Sequence, residues 1–244
     1  MRVRATIEYL GTAYAGWQVQ PDQPTVQAAL EHAISVVIGD RVRVAGAGRT
    51  DAGVHATGQV AAFDVPDGTD LYRLRASLNG LTPTDIAVVT LDEAEPRFDP
   101  RRDALARTYR YTIVSGRPPS PLLRDRSWHV YPTLERPLLD RLAASVVGVH
   151  EFSAFRAADC ESDSAEREVL ASSWSQSEDG IYSYEVSANA FLKQMVRILV
   201  GTMVDVALDR RSESEFASLL AGGSRAAGGP TAPARGLTLL RVDY

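Results

Sequence analysis

Residues 2–39 read RVRATIEYLGTAYAGWQVQPDQPTVQAALEHAISVVIG. At its start Val3, Ala5, Ile7 and Tyr9 alternate with polar residues, the period of two that a strand with one buried face requires. Further on, Val26, Ala29, Leu30, Ala33, Ile34 and Val37 fall on one side of a helix. Pro24-Thr25 stands where that helix starts and Gly39 where it stops. A strand that delivers the chain into an amphipathic helix opens an α/β module, and the next residues continue it. Val42 and Val44 predict a short strand running into a glycine loop, and 59–65 predicts a longer strand. A weaker helix is expected over 71–78, ending near Asn79-Gly80, and a closing strand over 86–91. The order is strand, helix, strand, strand, helix, strand, which is that of a ferredoxin-like module.

The second half repeats the order. Residues 108–114 are strand-like, with Tyr109, Tyr111 and Ile113 on one face. Residues 138–147 form a helix pattern. Segments 168–176 and 181–188 predict a hairpin across Glu178-Asp179-Gly180, where Asp-Gly supplies the turn. A long apolar helix is expected over 191–208, a short one over 213–220, and a last strand over 237–242. The expected fold is α+β: two ferredoxin-like βαββαβ halves side by side in one large, mostly antiparallel sheet with helices on one face. The halves are 1–104, which holds the glycine loop, and 105–244. Such a sheet suits RNA, but it also serves unrelated functions.

Composition narrows the class. The 244 residues are 45% hydrophobic and 23% charged, as in ordinary globular proteins. Arg2 and Arg4 are followed by no apolar leader, and the apolar stretch 195–208 is broken by Arg197, Gly201 and Asp205. With the lone Cys160 this points to a reducing, cytoplasmic setting without a membrane. The net charge of −5 argues against a polyanion partner, but the distribution argues for one. Residues 97–126 carry eight arginines (Arg97, Arg101, Arg102, Arg107, Arg110, Arg117, Arg124 and Arg126) against Asp99, Asp103 and Asp125. Guanidinium forks suit phosphate, although such a run is equally a solvated face.

The loop GAGRTDAGVHATGQ, 46–59, gathers Arg49, Thr50, Asp51 and His55 among Gly46, Gly48, Gly53 and Gly58. A dinucleotide loop is excluded: the third glycine position holds Asp51, whose charge repels a pyrophosphate, and a strand follows, not a helix. Asp51 and His55 are too few for a metal, and His32, His129 and His150 stand in no ligand spacing. Two readings stay open on the loop alone. One is an ionised carboxylate nucleophile oriented by Arg49; the other is a tight turn with a capping aspartate.

The wider sequence bears on that choice. GRTDAGVHATGQV resembles the signature of the tRNA pseudouridine synthase A family. So do, in family order, IEYLGTAYAGWQVQ, ARTYRYTI, HEFSAFR, ANAFLKQMVRILVG and TAPARGLTL, over essentially the whole chain. The resemblance implies conversion of uridine to pseudouridine in the anticodon stem-loop of tRNA, at positions 38, 39 and 40, by a homodimer without cofactor or metal. It implies that Asp51 is the catalytic carboxylate and that Arg197 pairs with it. It implies further that Tyr109 stacks on the target base, Arg49 helps extrude it and Leu237 walls the pocket. His55 is read as support for the loop and Tyr111 as core. Pro100, Ser127 and the DVALDRR stretch from Asp205 depart from the family pattern and bear on RNA or dimer surfaces. A non-catalytic RNA-binding module of this fold, or a synthase acting on another RNA, are the competing readings.

Overall fold

The structure, a computed structural model, describes every residue except Asp179, and the backbone alone of Glu178. It is an α+β protein that divides into two compact units, Met1–Leu105 with Thr238–Tyr244, and Ala106–Leu237. The first unit runs β1 (Arg2–Tyr9), α1 (Val26–Ile38), β2 (Ala45–Gly46), β3 (His55–Asp64), α2 (Leu71–Leu81) and β4 (Ile86–Glu93). The second runs β5 (Ala106–Ser115), β6 (Trp128–Val130), α3 (Arg136–Val146), β7 (Gly148–Glu151), β8 (Glu166–Glu178), β9 (Ile181–Ala188), α4 (Met195–Ala207) and α5 (Glu213–Leu219). β10 (Leu237–Asp243) belongs, all but its first residue, to the first unit.

In the first unit β4, β1 and β3 lie side by side, each pair antiparallel. β2 pairs with β3 antiparallel at Ala45↔Ala62, and β10 pairs with β3 parallel at Thr238↔His55. The period-two residues Val3, Ala5, Ile7 and Tyr9 are all buried, as are Val26, Leu30, Ala33 and Ile34 of α1 and Leu74 and Leu78 of α2. Each of the buried Val, Leu and Ile side chains contributes about 1.5–3 kcal/mol by leaving water. The Thr25 side-chain oxygen caps α1 by accepting from the Ala28 N–H at 3.3 Å, and Gly39, at φ 80°, ends it in the left-handed conformation.

In the second unit the order is β5-β9-β8-β7, antiparallel throughout, with β6 parallel beside the end of β5. Tyr111 and Tyr184, directly opposite each other on β5 and β9, are fully buried. α4 is apolar nearly all round and buried nearly all round, as a core helix must be.

Several boundaries differ from the sequence expectation. The short strand is Ala45–Gly46 rather than Val42–Val44, because the Val42 N–H is taken by the Ser35 hydroxyl and the Val44 N–H by Glu31 Oε1. β3 begins four residues early, at His55, its start hidden by small residues. α2 runs through Asn79-Gly80 to Leu81. α4 begins at Met195, not at 191. Asn189 Oδ1 accepts the Ala190 N–H at 2.7 Å, local competition that favours non-helical backbone, and Gln194 sits at φ 62° before the helix. β6 and β7, of three and four residues, were too short to show a period. The turn expected at Glu178-Asp179-Gly180 lies outside the described residues, while the β8–β9 pairing on either side is present.

Candidate active site

The Asp51 loop spans β2 and β3, and backbone hydrogen bonds fix both of its legs. The Ala47 N–H extends the ladder to the Val60 carbonyl at 2.8 Å, and Gln59 Nε2 donates to the Gly48 carbonyl at 2.9 Å. The Thr50 carbonyl accepts the Trp17 N–H at 3.1 Å, and the Thr50 hydroxyl shares a 2.8 Å hydrogen bond with the Tyr9 hydroxyl. Beyond Asp51 the chain turns: the Val54 N–H donates to the Asp51 carbonyl at 3.1 Å, with Gly53 at φ 78° between them. The Gly53 N–H reaches the Tyr14 carbonyl at 3.3 Å. Gly16, at φ 109°, lets the 14–17 strap lie against the loop; a Cβ there would stand 2.6 Å from the Thr50 carbonyl oxygen.

His55 is buried and its Nδ1 accepts the Gly11 N–H at 2.9 Å. An accepting Nδ1 places the proton of the neutral ring on Nε2. Tyr14 donates its hydroxyl proton to Asp85 at 2.5 Å. Burial, then the hydrogen bond and charge of Asp85, push its phenol far above the ordinary range, so it stays a donor at neutral pH. Asp51 itself is half-buried on a rigid frame. A carboxylate so placed can face a substrate without reorganising its backbone.

Arg49 is exposed and, with Gly48, Trp17, Gln18, Asp99 and Arg101, lines a cleft of about 260 Å³ beside the loop. Among the described residues no group of three His, Cys, Asp or Glu side chains could hold a metal ion, and no helix is long and apolar enough to cross a membrane.

The second unit places the other residues singled out above. Tyr109 is 8% exposed and meets Phe191 edge-to-face, ring centroids 5.1 Å apart. Tyr111, two residues on, donates to the Pro233 carbonyl at 2.8 Å. Burial raises the Tyr111 phenol, against the opposing charges of Arg197 and Arg235. Arg197 is half-buried on the first turn of α4; its Nε donates to the Ala232 carbonyl at 2.8 Å, and its own carbonyl accepts the Ala232 N–H at 3.1 Å. Tyr111 and Arg197 thus clamp the 232–233 segment, four residues before Leu237, which is buried at the start of β10. A second cavity of about 500 Å³, lined by His150, Glu151, Glu166 and Leu220 among others, contains none of Arg49, Asp51, Tyr109, Arg197 and Leu237.

Of the arginine stretch, Arg97, Arg101, Arg102, Arg110, Arg117, Arg124 and Arg126 are exposed. Arg110 pairs with Glu185 at 2.6 Å and Arg124 with Asp125 at 3.1 Å, so part of its charge is already met. Thr50, Trp17 and Gln59 were given no role from sequence, yet all three bond the loop. Gln59 had a signal: a polar amide inside an apolar strand, now fully buried, must hydrogen-bond. The departures at Pro100 and Ser127 are built in rather than loose. The Pro100 carbonyl accepts the Tyr244 hydroxyl at 2.8 Å, and the Ser127 hydroxyl donates to the Leu123 carbonyl at 2.7 Å.

The chain that carries this braced carboxylate matches the model of one enzyme family, tRNA pseudouridine synthase, over residues 5–101 and 142–244. The chain belongs to the tRNA pseudouridine synthase family, enzymes that isomerise uridine to pseudouridine in tRNA. Among its relatives, the tRNA pseudouridine synthase A of Myxococcus xanthus is 46% identical, covering 100% of this chain and 92% of that protein. Those of Geotalea daltonii and Geobacter sp. are 41% and 42% identical, each over 99% of this chain and 99% and 98% of their own.

Proposed function

We propose that the chain converts uridine to pseudouridine in the anticodon stem-loop of tRNA, at positions 38, 39 and 40, with Asp51 as the catalytic carboxylate. The observation that carries the reading is the bracing of Asp51: Thr50 before it and Gly53 after it are each tied to the 14–17 strap. The reaction breaks the bond from ribose to the base nitrogen, turns the base and rejoins it through carbon. The proton displaced from that carbon is balanced by one gained at the freed nitrogen, so no redox partner or cofactor enters.

A substrate closing over the Asp51 carboxylate strips it of water, which penalises the charged form. Arg197 is the cation assigned to offset this, and the second half of the chain, 105–244, thereby completes the cleft. A guanidinium amid Met195, Val196, Ile198 and Leu199, all buried, supports that role, since a lone charge there is costly. Tyr109 takes the flipped base on its ring, worth about 1–3 kcal/mol. Phe191 already fixes the ring's orientation. Arg49 offsets the few kcal/mol of unstacking, and Leu237 walls the pocket. The enzyme acts as a homodimer in the cytoplasm, with the arginine stretch tracking phosphates.

The test is to map pseudouridine at single-nucleotide resolution in unmodified tRNA treated with wild type or Asp51→Ala. The expected result is conversion in the anticodon arm that vanishes in the variant while RNA binding persists. Conversion by the variant refutes the role of Asp51, and binding without any conversion by wild type favours a non-catalytic module. Conversion confined to another region of the RNA refutes the assigned positions.

A further inference from the structure

The segment 222–231, between α5 and β10, holds no regular element beyond the single helical turn Arg225–Ala227, and it contains Gly222, Gly223, Gly228 and Gly229. Glycine loses the most conformational freedom on folding, so such a stretch keeps one path only where something holds it. Arg225, half-buried, holds it. Its Nη1 donates to the Gly229 carbonyl at 2.9 Å and its Nη2 to the Thr231 hydroxyl at 3.0 Å. Both acceptors are neutral and both lie on its own loop, so the guanidinium fork acts on the shape of the segment.

The same residues dock on α4. The Gly229 N–H donates to the Thr202 hydroxyl at 3.1 Å, and that hydroxyl donates to the Ile198 carbonyl at 2.7 Å. Gly201 admits the close approach, since a Cβ there would collide with the Pro230 carbonyl oxygen. One residue past Thr231 stands Ala232, 1% exposed, whose carbonyl accepts Arg197 Nε at 2.8 Å. The first turn of α4 fixes the Arg197 backbone, but several rotatable bonds separate it from the guanidinium. The bond to Ala232 restricts them, and the Ala232 peptide lies where Arg225 holds the residues just before it. The isomerisation described above requires Arg197 in one place, yet gives Arg225 no part.

We propose that Arg225 is a positioning residue for the isomerisation: it holds the 228–231 segment so that the Ala232 carbonyl sets the Arg197 guanidinium. It acts through Arg197 rather than on the substrate, and the proposal rests on the role given to Arg197 above.

The test compares Arg225→Gln and Arg225→Lys with wild type, well below the Tm of each, in two readouts. One is exchange of the Arg197 Nε–H with water, followed by nitrogen-15 NMR and assigned by its loss in Arg197→Lys. The other is the rate of pseudouridine formation in an anticodon stem-loop, split into kcat and KM. In Arg225→Gln the Nε–H should exchange at least about tenfold faster, as its acceptor is no longer held. The kcat should fall about tenfold, short of the hundredfold of a full 1 Å displacement because the Ala232 N–H still bonds the Arg197 carbonyl, with KM little changed. Arg225→Lys, a single ammonium in place of the fork, should recover about a third of the kcat and keeps the test open if Arg225→Gln does not fold. In an Arg197→Lys background, which lacks the Nε bond, Arg225→Gln should cost little further kcat. A lowered Tm with kcat and Nε–H exchange as in wild type overturns the proposal and leaves Arg225 a structural residue. Losses that multiply in the double variant overturn it as well. Full kcat in Arg197→Ala refutes the role of Arg197, whereas impaired Arg197→Ala beside an unaltered Arg225→Gln counts against Arg225 alone.

Discussion

Gly16→Ala should cripple turnover far more than it destabilises the fold. Gly16 sits at φ 109°, and a methyl there would lie 2.6 Å from the Thr50 carbonyl oxygen and 3.2 Å from the Asp51 carbonyl carbon. Ordinary contact begins at 3.4 Å, so the peptide joining Thr50 to Asp51 must retreat by about 0.8 Å or the strap must swing away. Either movement strains the bond from the Trp17 N–H to the Thr50 carbonyl. A displacement of about 1 Å in a catalytic group costs on the order of a hundredfold in rate. The expected kcat loss is therefore about 30- to 100-fold, measured as release of tritium from uridine labelled at the carbon that becomes bonded to ribose. Gly39→Ala is the internal control. Gly39 also has positive φ, 80°, but a methyl there meets nothing within 4 Å. Both variants bear the left-handed backbone penalty of about 1–2 kcal/mol, visible as a lowered Tm. Only Gly16→Ala should lose kcat. Equal kcat in the two variants, at matched folded fractions, would refute the claim that the strap sets the position of Asp51.

Tyr111→Phe leaves the Pro233 carbonyl without its donor, at a cost of about 1–3 kcal/mol. A Tm drop of roughly 2–4 °C per kcal/mol should follow in differential scanning calorimetry, and an unchanged Tm refutes the clamp. If Arg197 keeps Asp51 ionised, Asp51→Asn and Arg197→Ala should be non-additive in stability by more than about 1 kcal/mol. Strict additivity in denaturant titrations separates the two residues. The N–H groups of Arg102 and Arg101 bond the ionised Asp99 and hold its carboxyl below the ordinary 3.8. The stability it lends is then complete above the unfolded pKa and lost as pH falls through the folded one. An NMR titration placing Asp99 at or above 3.8 contradicts this.

Legibility in the sequence followed the length and regularity of each signal. β1 and α1 were readable almost to the residue, because four alternating apolar residues, a threonine cap and a terminal glycine all agreed. The start of β3 was not, since His55, Ala56 and Gly58 hide the alternation. The 191–194 segment reads as helix in the sequence because Phe191 and Leu192 continue an apolar run. Phe191 instead packs on Tyr109 and Gln194 takes a positive φ, tertiary choices that no local period encodes. At the site, Asp51 and Arg49 were legible as a charged pair among glycines. The supports of Asp51 were not, because the bonds from Tyr9, Trp17 and Gln59 come from distant positions.

Tyr9 shows why those supports escape a pattern-based reading. It is the last inward residue of the opening strand, and its alternation assigns it to the core, where it is 3% exposed. Its ring lies 6.0 Å from that of Trp17, and its hydroxyl reaches Thr50, next to Asp51. A single side chain thus serves packing with its ring and the site with its polar tip. Trp17 repeats the arrangement: its backbone N–H holds Thr50, its ring packs on Tyr9, and its indole N–H is left for the cleft. Hydrophobic periodicity registers only the ring in each case. The loop that carries Asp51 is rigid because its anchors are core residues, so a substitution that weakens this corner of the core should reach the chemistry before it unfolds the protein.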